Sequence, residues 1–156
     1  PEPEDIANAP IEVLEKLIHS TGFYHNKAKN IKACAKALLE KYNGKVPNTL
    51  EELVRLPGVG RKTANVVLGA AFGIPGIVVD THVARIAGRL GFTEQNDPVK
   101  IEQDLMRIIP EKEWSDFSLH LVYFGREICI ARKPKCEVCP LQTLCPYFEK
   151  TPKKNA

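Results

Sequence analysis

The chain has 156 residues, and 44% of them are hydrophobic, so it can fold around one core of ordinary size or two small ones. It contains no run of about 18 apolar residues, and its start lacks the basic and apolar parts of a secretory signal. These features exclude a transmembrane protein and a secreted disulfide scaffold, and we expect a soluble, intracellular protein.

The net charge is only +3, which by itself identifies no partner. Its distribution is more informative, because the segment from residue 129 to 156 carries six Lys or Arg against two Glu. A basic excess at one end of the chain suits a contact with phosphate groups. A solvated tail would have the same composition, so both interpretations stay open at this point.

Apolar residues recur with helical spacing along nearly the whole chain, most clearly over 31–42. Further helices are predicted at about 11–20, 49–55, 61–72, 82–90, 98–109, 114–128 and 140–147. Asp97 before Pro98 has the pattern of a helix N-cap, and Asn43 with Gly44 provides a stop after the helix that ends near residue 42. Only residues 77–79 are predicted to be extended. We therefore predict an all-α protein.

A helix-hairpin-helix is predicted at 49–72, where a short helix, a tight turn and a mostly apolar helix follow one another. Two glycines in the turn let the backbone approach a ligand closely, and the N-terminus of the second helix favours an anion such as a DNA phosphate. The alternative is a compact turn between two packed helices. The residues predicted to contact DNA here are Leu56, Gly58, Val59, Gly60, Arg61 and Lys62.

Lys62 lies in the first turn of that second helix, where the helix dipole and Arg61 oppose its charge. We expect these effects and desolvation to lower its pKa, and a neutral amine can attack a sugar C1′ to form a Schiff base. A simple phosphate contact is the alternative role.

Asp80 follows the extended segment 77–79 and precedes a predicted helix. It is therefore a candidate N-cap, and it is also a candidate carboxylate for stabilising a cationic sugar. The two roles are compatible, because a cap holds the carboxylate in place.

Four of the five cysteines lie close together near the C-terminus. They are separated by six, two and five residues, and they are Cys129, Cys136, Cys139 and Cys145. Four thiolates at this spacing can bind a [4Fe–4S] cluster or a structural zinc ion, and the single close pair favours iron–sulfur. The fifth cysteine, Cys34, falls on the inward stripe of the 31–42 helix and is predicted to be a small core residue.

Three motifs of the chain resemble the endonuclease III family of DNA glycosylases, namely LPGVGRKTANVVL, VDTH and the four-cysteine spacing. The resemblance extends over nearly the whole chain. It implies a helix-hairpin-helix glycosylase fold with a C-terminal iron–sulfur cluster loop, and a bifunctional glycosylase and AP lyase in the cytoplasm or on the nucleoid. It also implies that Lys62 is the Schiff-base nucleophile, that Asp80 is the second catalytic residue, and that the four cysteines bind a [4Fe–4S] cluster.

The family pattern further implies a helical domain at 1–95, a cluster domain at 96–148 and a basic tail at 149–156. The loop between the first two cysteines is expected to touch the DNA backbone through Arg132, Lys133 and Lys135. Family members have further helices before the point that matches residue 1. We therefore expect an N-terminally incomplete fold, which a second polypeptide or another segment would complete.

The expected substrate is double-stranded DNA with a damaged base or an abasic site, and the resemblance favours oxidised pyrimidines as the damaged bases. Two other functions stay open at this stage. One is a monofunctional mismatch or adenine glycosylase, a group that generally lacks the hairpin lysine. The other is a non-catalytic DNA-binding fragment with a four-cysteine metal site.

Overall fold

The computed structural model of the protein describes residues 2–150, except the side chain of Lys150. Within this range there are nine α-helices and no β-strand, which confirms the all-α prediction. The helices are α1 (Pro3–Asn8), α2 (Ile11–Ile18), α3 (Tyr24–Tyr42), α4 (Leu50–Leu53), α5 (Arg61–Phe72), α6 (Thr81–Arg89), α7 (Pro98–Ile108), α8 (Trp114–Glu127) and α9 (Pro146–Lys150). Every helix in the described part is too short or too polar to span a bilayer.

The local stop and start signals act as predicted. Asn43 and Gly44 both have positive φ, and the Gly44 N–H donates to the Leu38 carbonyl at 3.0 Å to end α3. The Asp97 carboxylate accepts from the N–H groups of Val99 and Lys100, both at 3.0 Å, to begin α7. The segment 77–79 is extended without a sheet partner in the described residues, and the Val78 N–H donates to the Ser118 hydroxyl instead.

Two helix predictions need correction, and one helix was not predicted. The helix predicted at 140–147 is wrong, because Pro146 cannot continue a helix and begins α9 instead. The preceding residues form only a short 3₁₀ turn, Gln142–Leu144. Helix α3 begins at Tyr24 rather than near residue 31, since its first turns bury only Ala28 and show no apolar stripe. Helix α1 was missed, although the Asp5 carboxylate accepts from the Glu2 N–H at 2.8 Å, as in a capping box.

The structure divides into two compact units, one ending at Leu68 and the other beginning at Gly69. In the first unit α1 and α2 pack on α3, and a core lies between α3 and the hairpin. Leu53, Leu56 and Ala64 are buried in this core, and Cys34 packs against it from α3 but is half-buried rather than buried. Burial raises the pKa of the Cys34 thiol.

In the second unit α6 packs on α7 and α8. Its core includes Ile77, Ile86 and Leu105, all inaccessible to solvent, and Leu121. This core draws residues from both sides of position 95. The bounds expected from the sequence, 1–95, 96–148 and 149–156, stay a prediction, and positions 151–156 of the expected tail lie outside the described residues.

Candidate functional site

The hairpin turn requires glycine at position 58 for reasons internal to the protein. Gly58 has φ of +75°, and a Cβ placed there would lie 2.7 Å from the Asn30 Cβ. The turn is anchored by Leu56, which is 5% exposed and whose carbonyl accepts from the Val59 N–H at 3.1 Å. The buried Leu56 side chain thus supports the turn, and the predicted DNA contacts at this residue can involve only its backbone.

Gly60 differs from Gly58, because no atom lies within 4 Å of the position of an added Cβ. Its φ is outside the left-handed range, so neither packing nor backbone conformation within this structure demands glycine. Helix α5 begins at the next residue, and the N–H groups of a first helical turn have no intrahelical acceptors. The open space above Gly60 is therefore where an anionic ligand can approach the N-terminus of α5.

Lys62 is exposed in the first turn of α5, two residues after Gly60. Because Lys62 is exposed, packing within its own unit does not desolvate the amine. Such desolvation would have to come from a bound ligand.

Asp80 is the N-cap of α6, in the second unit. One oxygen of its carboxylate, Oδ1, accepts from the N–H groups of His82 and Val83, both at 2.8 Å. Among the described residues no hydrogen bond is made to the other oxygen, Oδ2, and the side chain is half-buried. The predicted N-cap role is therefore confirmed, and the cap leaves one oxygen of the fixed carboxylate without a hydrogen bond, whereas the catalytic role stays a prediction.

Phe23 was not identified from the sequence as a functional residue. Its side chain is 86% exposed, and its φ of +58° is a left-handed conformation that an aromatic residue rarely adopts. It lies at the N-cap position of α3, directly after Gly22. The sequence signal is an aromatic residue that follows a glycine and belongs to no apolar stripe. Strained residues of this kind often serve binding.

The four cysteines near the C-terminus all line one cavity in the second unit. Other side chains around it are mostly apolar and include Leu90, Phe124, Ile128 and Phe148. Among residues 2–150 no three His, Cys, Asp or Glu side chains are close enough to hold a single metal ion. The donor set of four sulfurs in an apolar cavity fits an iron–sulfur cluster, which is wider than one ion and is bound by four thiolates.

The cysteines influence one another electrostatically. Burial raises the pKa of the Cys136 thiol, the three other cysteines add to this, and the Arg89 guanidinium lowers it. The side-chain amide of Gln142 donates to the Cys136 carbonyl at 3.0 Å, which supports the loop beside this cysteine. Mutual repulsion between four thiolates is what a cationic iron core relieves when it binds them.

The loop between the first two cysteines presents its three cations to solvent. Arg132, Lys133 and Lys135 are all exposed, and Lys133 has a left-handed φ of +54°. The Lys135 N–H donates to the Ile128 carbonyl at 3.0 Å and closes the loop at its base. The predicted contacts with DNA phosphates are therefore sterically accessible at all three positions.

Helix α6 connects the Asp80 cap with the cluster loop inside the second unit. The Arg85 guanidinium donates to the carbonyls of Gly125 and Cys129, at 3.0 and 2.9 Å. It also lies 3.2 Å from His82 Nδ1, which must be the acceptor because a guanidinium has only donors. His82 is thus a hydrogen-bonded residue of this network.

Two family models match the chain. The first, described as the HhH-GPD superfamily base excision DNA repair protein, matches residues 1–111, and the second, the iron–sulfur binding domain of endonuclease III, matches residues 129–145. The second match begins and ends on the first and last of the four cysteines.

The chain is similar to curated endonuclease III proteins. It is 52% identical over 147 residues to endonuclease III of Synechocystis sp., covering 94% of this chain and 67% of the relative. It is 50% identical over 154 residues to endonuclease III of Bacillus subtilis, covering 98% of this chain and 70% of that protein.

A solved structure of a trapped endonuclease III–DNA covalent intermediate has a TM-score of 0.90 and 49% identity, covering 96% of this chain and 70% of that one. The coverage, the sequence identity and the common fold establish the family, and the second family model establishes the cofactor. The chain therefore belongs to the endonuclease III family of helix-hairpin-helix proteins, as a DNA-binding base-excision repair glycosylase with AP lyase activity and a [4Fe–4S] cluster.

Proposed function

We propose that this chain performs its glycosylase and lyase steps on oxidised pyrimidines in double-stranded DNA, with Lys62 as the nucleophile and Asp80 as the supporting carboxylate. The observation that carries the proposal is the exposure of Lys62 in the first turn of α5, two residues after the open position at Gly60. A phosphate held at the hairpin would bring the neighbouring sugar within reach of the Lys62 amine. A relative 49% identical to this chain has been trapped as a covalent intermediate with DNA, which supports a covalent route.

In the proposed reaction the neutral amine of Lys62 forms a bond to the sugar C1′ as the glycosidic bond breaks. The base leaves with the bonding electron pair and takes up a proton, and opening of the sugar ring gives the protonated Schiff base. Removal of a proton from the neighbouring C2′ then expels the 3′ phosphate by β-elimination. Water hydrolyses the Schiff base, which restores the amine of Lys62 and releases the cleaved strand.

Asp80 stabilises the positive charge that develops on the sugar, through the oxygen that the cap leaves without a hydrogen bond. Because Oδ1 is held by two N–H groups of α6, the carboxylate needs no reorganisation during the reaction. Oδ2 is also able to accept a proton from a reacting group and return it.

DNA is proposed to contact three surfaces, each described within its own unit. The hairpin from Leu56 to Lys62 receives a phosphate through backbone N–H groups. Phe23 acts as an apolar wedge that enters the base stack when the damaged base is turned out of the duplex, since exposed aromatic and aliphatic side chains serve this purpose in other DNA-binding proteins. Arg132, Lys133 and Lys135 provide further phosphate contacts that weaken with salt.

The cluster is proposed to be held by Cys129, Cys136, Cys139 and Cys145, which the cavity brings together. When bound, an iron–sulfur cluster joins the four thiolates into one rigid unit and can exchange an electron. The protein's own contribution is to shield the sulfurs with apolar side chains and to hold the cationic loop between the first two ligands.

The location and assembly are also part of the proposal. A damaged base or an abasic site in chromosomal DNA requires the protein to work on the nucleoid.

A further helical segment, on the same or a second polypeptide, is proposed to pack on this chain. Leu119 and Tyr123, one turn apart on α8, are 50% and 54% exposed, and neighbouring apolar side chains of this kind favour a protein contact.

The nucleophile is tested by borohydride trapping on duplex DNA with one abasic site. We expect a covalent adduct with the wild-type chain and with Lys41→Ala, an exposed lysine of α3 that serves as control. Lys62→Ala should form no adduct and should lose strand cleavage by at least about a thousandfold, since a covalent step has lost its nucleophile. An undiminished adduct with Lys62→Ala would make the assignment wrong. Absence of an adduct with the wild-type chain would favour a monofunctional glycosylase.

The role of Asp80 is tested by two substitutions that separate the cap from the charge. Asparagine caps helices as well as aspartate does, so Asp80→Asn should leave the free energy of unfolding nearly unchanged, whereas Asp80→Ala should lose about 1 kcal/mol. Both variants should lose about a hundredfold or more in the single-turnover rate of base release. If Asp80→Asn retains the wild-type rate, the residue is only a helix cap.

A further inference from the structure

Arg89, in the last turn of α6, makes several contacts with the loop that carries the four cysteines. Its Nη1 lies 3.2 Å from the Cys129 sulfur and donates to the Ile130 carbonyl at 2.8 Å. Its Nη2 donates to the Ala131 carbonyl at 2.9 Å. A single side chain therefore holds the first proposed ligand and the two residues that follow it.

Arg89 also contacts the other end of the loop. Its guanidinium carbon lies 4.6 Å from the centre of the Tyr147 ring, a cation–π geometry. Its backbone carbonyl faces the Cys145 sulfur at 3.7 Å. Arg89 is thus next to both Cys129 and Cys145, the first and the last of the four cysteines in the sequence.

The charge of Arg89 also indicates that its partner is the four-cysteine site. No carboxylate in the described residues forms an ion pair with its guanidinium, which is half-buried. A nearby negative charge stabilises a partly desolvated cation. Four thiolates carry more negative charge than a four-iron core neutralises, so the bound site is net negative and provides that charge.

We propose that Arg89 is a positioning residue for the iron–sulfur site: it donates an N–H···S hydrogen bond to Cys129 and clamps both ends of the cysteine loop to α6. This inference rests on the proposed assignment of the four cysteines as ligands. Hydrogen bonds to ligand sulfurs stabilise the more negative, reduced state of a cluster and raise its reduction potential. The clamp on the Ile130 and Ala131 carbonyls slows opening of the loop and loss of the cluster.

The experiment compares two substitutions of Arg89 with one control in otherwise intact protein. Arg89→Met removes the charge and all donors but keeps most of the stem, and Arg89→Lys keeps the charge without the planar group that reaches several acceptors. Arg107→Met is the control, because the Arg107 side chain is 74% exposed and, within residues 2–150, forms its ion pair with Asp104 on its own helix. Three quantities are measured for each protein: the iron and sulfide content per chain, the rate of cluster loss in the presence of a chelator, and the reduction potential without DNA.

We expect Arg89→Met to lose its cluster about tenfold or more faster than Arg107→Met and to have a lower reduction potential. Arg89→Lys should restore part of the potential while still losing the cluster quickly, because one ammonium cannot hold both carbonyls and the sulfur. If Arg89→Met is isolated without any cluster but with the helical circular dichroism of the wild type, the positioning role is supported as well.

The proposal is overturned if Arg89→Met matches Arg107→Met in iron content, rate of loss and potential. It is also overturned if rapid loss occurs while the potential of the remaining loaded protein equals that of the wild type, since that result describes a purely structural contact. Failure of the ligand assignment is distinguishable, because it would be visible in the wild-type chain as protein that binds no iron. Failure of Lys62 as nucleophile affects trapping and none of these readouts.

Discussion

Two sets of residues with proposed roles, one in each compact unit, are held in opposite ways. In the first unit Phe23 and Gly60 are exposed directly before α3 and α5 begin, and Lys62 is exposed in the first turn of α5. In the second unit Asp80 and Arg89 are held by several hydrogen bonds. Residues of the first kind are proposed to meet a ligand from outside, whereas residues of the second kind are held by contacts within their own unit.

The glycines show a related difference, but within each unit rather than between the two units. Gly58 and Gly125 have no room for a side chain, whereas Gly60 and Gly88 have no neighbouring atom within 4 Å of an added Cβ. A glycine without room is explained by packing. Where a side chain would fit and the backbone conformation is ordinary, glycine is required only if an external partner needs the space. Substitution by alanine therefore separates the requirements of folding from those of binding.

The largest effect is expected for Gly125→Ala in α8. The added Cβ would lie 2.7 Å from His82 Nδ1 and 2.9 Å from Arg85 Nη2, so the network that joins α6 to α8 must shift. Overpacking of this kind costs about 1–3 kcal/mol, measured as the free energy of unfolding in urea. Gly88→Ala in α6 is the matched control and should be neutral or stabilising by up to about 1 kcal/mol, because it only raises helix propensity. Equal stability of the two variants would contradict the packing argument.

A somewhat smaller loss of stability is expected for Gly58→Ala in the hairpin, about 1–2 kcal/mol, since its left-handed backbone and the Asn30 contact both oppose a side chain. Gly60→Ala should change the free energy of unfolding by less than about 0.5 kcal/mol. It should nevertheless weaken binding to abasic duplex about tenfold, because the added methyl group occupies the space of the phosphate. Unchanged DNA affinity for Gly60→Ala would show that the hairpin turn does not contact DNA through this residue.

The smallest effect is expected for Phe23→Asn. Asparagine adopts left-handed conformations readily, so the variant should be as stable as the wild type, or slightly more so. Loss of the apolar wedge should weaken binding to duplex with an abasic site about fivefold, equivalent to about 1 kcal/mol. Phe23→Leu keeps an apolar side chain and should bind nearly as the wild type does. Equal affinities for all three proteins would remove Phe23 from the proposed interface.

Much of this protein is predictable from its sequence because the signals are local. The N-cap at Asp97, the stop at Asn43 and Gly44, and the inward position of Cys34 all depend on residues within about one helical turn. The hairpin and the four-cysteine segment are equally short patterns, and they identified the family. The failures were local as well, since Pro146 interrupts a helix whose apolar spacing suggested continuity.

Only the tertiary structure showed that Gly58 and Gly60 differ, because the distinction depends on where α3 places Asn30. The exposure of Phe23 likewise has no sequence signal strong enough to separate it from a core aromatic residue. The contact of Arg89 with Cys129 spans 40 positions, and such a pairing depends on how α6 packs against the end of α8. Local patterns determine which residues form helices and motifs, whereas packing between distant segments determines which side chains meet and which stay open to a ligand.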